Sequence, residues 1–245
     1  MSHPKTAILV LSYNGLSVTK RFFSHLYENT QNFQVVMVDN GSTDGSVEYL
    51  TALSKEKNDF LFTPNPTNLG VINGRNYAYE IYRKMEDRAP YLIFLDNDQF
   101  VQPGWLEQHH SAMSQGRADL VGVEAWVMSK TFMPIKRCTR SFEPWTYIGC
   151  GGMMVKEAVA QKIGMFDEQF NPCYFEDPDY CFRAIDAGFK LFWNHAARVI
   201  HQPHQTLGLN PRRKQNFLES GAKFRKKWGH RKLPILRSFG LTAVE

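Results

Sequence analysis

The sequence predicts an α/β protein with a mostly parallel central sheet and helices on both faces. Two observations carry that prediction. Apolar bursts of strand length alternate with stretches of helical periodicity through the first hundred residues. Each burst then runs into polar turn formers, the pattern expected at the carboxyl ends of parallel strands, where ligands gather.

The elements follow in order. TAILVLS (Thr6–Ser12) reads as a strand. In residues 16–30, Val18, Phe22, Phe23 and Leu26 recur at helical spacing. FQVVMVD (Phe33–Asp39) is a second strand, and the NGSTDGS after it is dense in turn residues. Residues 46–53 read as a short helix and 59–63 as a third strand. PNPTNLG forms a rigid loop, 71–88 a long helix and 91–95 a fourth strand, apolar on both faces. Beyond Phe100 the alternation weakens. The pattern there predicts a helix over 105–115, a strand over 119–128 and an irregular stretch over 133–145. A Gly-rich approach to a strand follows over 150–155, then a helix over 156–163.

Composition narrows the class. Hydrophobic residues at 43% and aromatics at 13% fill a core and exclude a disordered chain. No apolar run approaches the roughly 20 residues of a membrane span, and no signal peptide reads at the N-terminus. The expectation is a cytoplasmic protein. Cys138, Cys150, Cys173 and Cys181 form no CxxC pair and no zinc spacing, so they read as buried thiols. The formal charge of +5 concentrates between Arg212 and Lys232, a basic, aromatic-dotted stretch with one Glu. Either a solvated helix or contact with an anionic membrane surface accounts for it.

The polar strand ends converge on one edge: Ser12-Tyr13-Asn14, Asp39 with Ser42, the loop containing Asn68, and Asp96-Asn97-Asp98. Singly, turn and helix-cap chemistry explains each of them. Together they point to a site. Asp96 and Asp98 lie two apart at a strand end, and in extended geometry both side chains leave one face. Paired carboxylates repel unless a cation neutralises them, and a hard divalent ion with oxygen ligands, Mn²⁺ or Mg²⁺, suits the pair.

Six stretches in this order resemble the family 2 glycosyltransferases of GT-A fold, the inverting group that includes many bacterial rhamnosyltransferase-like enzymes. They are LVLSYNG from Leu9, VVMVDNGSTDGS from Val35, NLGVINGRNYA from Asn68, FLDND from Phe94, GCGGMMVKEAVAQKIGMFDEQF from Gly149 and YFEDPDYCFRAIDAGFKLFW from Tyr174. His201 completes the set.

The resemblance implies roles. Ser12, Tyr13, Asn14 and Asp39 match the pocket for base and ribose, with Ser42, Asn68 and Asn97 on the same edge. Arg75 matches an arginine that approaches the donor diphosphate or the DxD carboxylates. Asp96 matches the residue that reaches ribose and metal, while Asp98 and His201 match metal ligands. Asp177 matches the catalytic base, with Glu176 beside it and Asp179 the neighbour most easily mistaken for it. Asp177 also precedes Pro178, an N-cap signature that would lower its pKa. Gly151 and Gly152 resemble a loop beneath the donor sugar, Trp126, Trp145 and Tyr147 are candidates for stacking on acceptor sugars, and His204 begins a run that matches a loop closing over donor.

The implied activity is metal-dependent, inverting transfer of one sugar from a UDP- or dTDP-sugar to a saccharide or lipid-linked saccharide. A Gln-x-x-Arg-Trp motif is lacking, which argues against processive synthesis. The expected partners are the nucleotide-diphosphate sugar, the acceptor and the inner membrane face, with no nucleic acid. Residues 1–210 read as one catalytic domain, nucleotide-binding to residue 100 and acceptor-binding after it, and 211–245 as a basic helical extension. Two alternatives are a sugar nucleotidyltransferase, whose Gly-rich basic loop SYNGLSVTKR does not match, and a non-catalytic nucleotide- or glycan-binding domain.

Overall fold

The computed structural model describes residues 3–202 and 211–231. In chain order the elements of the first half are β1 (Thr6–Ser12), α1 (Leu16–Asn29), β2 (Phe33–Asp39), α2 (Ser46–Glu56), β3 (Phe60–Pro64), α3 (Gly70–Tyr82), β4 (Tyr91–Asp96) and β5 (Gln99–Val101). The second half holds α4 (Trp105–Ser114), β6 (Leu120–Gly122), β7 (Ala125–Met128), β8 (Pro134–Arg137), β9 (Tyr147–Ile148), β10 (Met153–Lys156), α5 (Glu157–Ile163), α6 (Glu176–Asp186), β11 (Leu191–Trp193), β12 (Val199–His201) and α7 (Arg213–Trp228).

Seven strands form the central sheet in the order β11-β6-β10-β4-β1-β2-β3. Only β10 runs antiparallel to its neighbours, so the sheet is mostly parallel. Strand alternation explains the two-sided core. Ala7, Leu9 and Leu11 of β1 join Leu92 and Phe94 of β4 on one face, beneath α3, α5, α6 and α7. Ile8 and Val10 join Ile93 and Leu95 on the other, beneath α1, α2 and α4. Helix α3 lies close on the sheet at Gly74, where a Cβ would stand 2.5 Å from Leu11.

Three expectations are corrected. The helix over 71–88 ends at Tyr82, whose hydroxyl donates to the Ala89 carbonyl at 2.6 Å as the chain folds back toward β4. The strand over 119–128 is two: β6 stays in the central sheet, while β7 leaves it to pair with β8 and β9. Part of the irregular stretch over 133–145 is therefore β8.

Helix α7 is amphipathic. Phe224 and Trp228 are buried against Phe182 of α6, while Lys214, Lys226 and their basic neighbours face outward. No helix among the described residues is long and apolar enough to cross a membrane.

Candidate active site

The carboxyl ends of β1, β2 and β4 meet as expected, and their polar side chains divide into two kinds. Around β1 and β2 the buried groups are paired. Asp39 is fully buried and accepts four hydrogen bonds: Ser12 Oγ at 2.8 Å, Ser42 Oγ at 2.5 Å, and the Gly41 and Ser42 N–H groups at 3.1 and 2.8 Å. Asn14, in a left-handed conformation, donates its N–H to Ser42 Oγ and accepts from the Thr43 N–H. Asn68 accepts from the Gly70 N–H at the start of α3, and Asn97 donates to Thr19. Tyr13 stands exposed at the rim.

At the end of β4 the geometry is different. Asp96 is the last residue of the strand, and Asn97 and Asp98 form a tight turn into β5. The two carboxylates therefore converge through the turn and not through the strand pleat. Pairing of β12 with β5 sets His201 opposite Gln99 and brings the imidazole in. One ligand atom from each of Asp96, Asp98 and His201 lies within 4.8 Å of the others. His201 Nε2 stands 3.4 Å from Asp98 Oδ1, an oxygen that is buried yet makes no hydrogen bond. Burial opposes protonation of His201, but Asp98 and then Asp96 outweigh it and raise its pKa. Two carboxylates, an imidazole and an unpartnered oxygen fit a divalent cation.

Arg75, buried on α3, donates to both oxygens of Asp96 at 2.8 and 3.0 Å and reaches Glu176 Oε1 at 3.6 Å. It thereby joins the β4 carboxylates to the first turn of α6. That helix begins at Glu176, after Tyr174 and Phe175, both at positive φ. Phe175 is the cap, so Asp177 is not the N-cap its sequence suggested. Nor is its pKa lowered. Burial raises it, against the pull of Arg75 and of hydrogen bonds from the Cys150 thiol and backbone. Glu176 is raised as well, by burial and by its neighbour Asp177. Glu176 Oε2 and Asp177 Oδ1 are both buried without partners. Asp179 points elsewhere: Arg183, Lys227 and Trp228 hold it between α6 and α7 at 2.6–2.8 Å.

Part of this set lines a cavity of about 480 Å³. Asp96 and His201 stand with Glu176 and Asp177, and Trp126 and Tyr147 lie among its walls. Gly151 lines it too; a Cβ there would lie 2.3 Å from Gln99, whose side-chain oxygen accepts the Asp96 N–H. Gly152 at φ +78° lies behind, closed off by Val123, and Trp145 packs on the core without lining the cavity. Glu124, Arg137 and Arg213 also line it and had not been singled out in the sequence. Glu124 carries a signal in hindsight, a carboxylate interrupting the apolar run LVGVEAWVM. His204 and its run fall outside the described residues.

Fold and site together define a sugar-nucleotide transferase architecture of the GT-A type. The chain belongs to glycosyl transferase family 2, whose family model matches residues 7–181. It is similar to an uncharacterised glycosyltransferase of Haemophilus influenzae, at 31% identity over 47% of this chain and 48% of that one. It is also similar to the succinoglycan biosynthesis protein ExoA of Rhizobium meliloti, at 25% identity over 87% of this chain and 66% of that one. The chain thus spans about half the length of the Haemophilus relative and about two thirds of ExoA. Among solved structures, GalNAc-T7 with UDP, GalNAc and Mn²⁺ superposes with a TM-score of 0.72. The superposition has 14% identity and covers 94% of this chain and 50% of that one.

Proposed function

We propose that this protein is an inverting, metal-dependent glycosyltransferase that moves one sugar from a nucleotide-diphosphate donor to a hydroxyl of a saccharide or lipid-linked saccharide. One observation carries the reading. A buried, unpartnered oxygen of Asp177 sits in the same cavity as Asp96 and His201. The donor's base and ribose lie along the Ser12, Asp39 and Ser42 edge, favouring UDP or dTDP, and Arg75 meets the diphosphate.

Asp96, Asp98 and His201 would hold Mn²⁺ or Mg²⁺, which would supply neutralising charge to the leaving diphosphate. Asp177 accepts the proton of the acceptor hydroxyl as that oxygen bonds to the anomeric carbon and the diphosphate departs from the opposite face. Its raised pKa makes it a stronger base than an exposed aspartate. Glu176, tied to Arg75, positions the first turn of α6. The basic face of α7 rests on an anionic membrane surface.

The test is thermal stabilisation by UDP, dTDP and GDP, each with and without Mn²⁺. A Mn²⁺-dependent rise with one nucleotide is expected and fixes the base. A cooperative melt unmoved by all three nucleotides would overturn the donor site.

A further inference from the structure

A second cleft, of about 430 Å³, adjoins the catalytic cavity, and Glu124 and Arg137 line both. It lies between the β7–β8 region and β12 and belongs to none of the roles assigned above. Its lining mixes apolar surface, from Val123 and Val199, with polar groups from Gln102, Thr139, Arg137 and Arg198. Such a mixture suits a sugar ring, whose C–H face packs on apolar atoms while its hydroxyls find hydrogen-bond partners.

The charges of the cleft do not cancel. Arg137 pairs with Glu124 at 2.9 Å, while exposed Arg198 has no ion-pair or hydrogen-bond partner for its side chain among the described residues. Two arginines and one carboxylate thus line a cleft that shares Glu124 and Arg137 with the cavity holding Asp177. A neutral sugar leaves one cation unmatched, whereas a phosphate or carboxylate matches it, and the planar fork of Arg binds either with two parallel hydrogen bonds.

We propose that this cleft binds an anionic group, phosphate or carboxylate, on the acceptor, with Arg198 and Arg137 as its ligands. The inference rests on the glycosyltransferase reading, since it takes the hydroxyl at Asp177 and the anion at Arg198 as parts of one molecule. An acceptor would thus enter with its charged portion over β12 and its reactive hydroxyl in the deeper cavity.

The test is ligand-observed NMR titration of the whole chain with methyl glucoside, methyl glucuronide and glucose 1-phosphate. Chelator is included so that no metal recruits phosphate to Asp96 and Asp98. At least one charged probe is expected to bind about tenfold more tightly than methyl glucoside, a difference of about 1.4 kcal/mol. Arg198→Ala should remove most of that preference. Preference for glucose 1-phosphate marks a phosphorylated acceptor, and preference for the glucuronide marks an acidic sugar. Equal binding of all three probes, or an unchanged preference in Arg198→Ala, would overturn the proposal. Arg198 is exposed, so the variant should fold normally, and its melting temperature checks this. Nucleotide stabilisation with Mn²⁺ is measured in parallel. Its absence sinks the donor site whether or not the charged probes bind.

Discussion

Two carboxylates, Asp39 at the end of β2 and Asp177 in the first turn of α6, have opposite surroundings, the first fully buried and the second half-buried. Asp39 accepts four hydrogen bonds from its own turn and the neighbouring strand. Asp177 keeps an oxygen with no partner and a raised pKa. The first arrangement stabilises a loop in one shape. The second costs stability and leaves a carboxylate available to a substrate, which is how proton-transfer groups differ from structural ones. The turn after β2 is a finished scaffold, whereas the end of β4 and the first turn of α6 keep unpartnered oxygens at Asp98, Glu176 and Asp177.

The largest expected effect breaks the comparison at Asp177. Asp177→Asn should cut transfer by about 10²- to 10⁴-fold, with donor affinity and melting temperature kept or raised. Near-normal turnover in a sugar-transfer assay would end its candidacy as base. Next comes Asp98→Ala, which should abolish the Mn²⁺-dependent part of nucleotide stabilisation. At ligand one hundred times its dissociation constant that part is worth about 2.7 kcal/mol. Unchanged stabilisation in calorimetry would remove Asp98 from the metal site.

Asp39→Ala tests the opposite pole. It orphans two N–H groups and two hydroxyls, and a loss of about 2 kcal/mol is expected in urea unfolding even without substrate. A variant as stable as the parent would show that the turn does not need its carboxylate.

The smallest effect is a control away from both regions. Burial pushes His109 down to about 4, and burial with nearby His3 and His109 pushes His110 down to about 3. In the unfolded chain both take protons near the usual 6.5, so unfolding is favoured by acid. The stabilising contribution is complete above pH 6.5 and is lost as pH falls from there, toward 4 for His109 and toward 3 for His110. The melting temperature should decline over that window and decline less in His109→Gln. An equal slope in both proteins would clear His109 of the effect.

Much of this was legible in the sequence because local pattern and tertiary role coincide. Buried parallel strands read as unbroken apolar runs, and β1, β2 and β4 were found on that ground. Where tertiary context decides, reading failed. Residues 119–128 divide between two sheets around Glu124, and one charge in an apolar run does not reveal that the two parts take different partners. Asp177 and Pro178 look like a cap, but the left-handed turn at Tyr174 and Phe175 starts the helix earlier. Motif position brought together Asp96, Asp98 and His201, although the histidine lies 103 residues beyond Asp98. Arg137, on a strand that reads as irregular, gave no comparable signal.

The carboxylate of Asp179 ties the outermost helix to the one that presents Glu176 and Asp177. Trp228 and Lys227 of α7 and Arg183 of α6 all grip it, at a position with no solvent exposure. The helix whose basic side faces outward is therefore also the buttress of the helix carrying the proposed base. Deleting α7 to ask whether it adheres to lipid would strip the backing from α6, and a lost activity would say nothing about membranes. Reversing the charge of exposed Lys214 and Lys226 leaves the buttress standing and asks the question cleanly. The same linkage couples the orientation of α7 to that of the helix whose first turn lines the cavity.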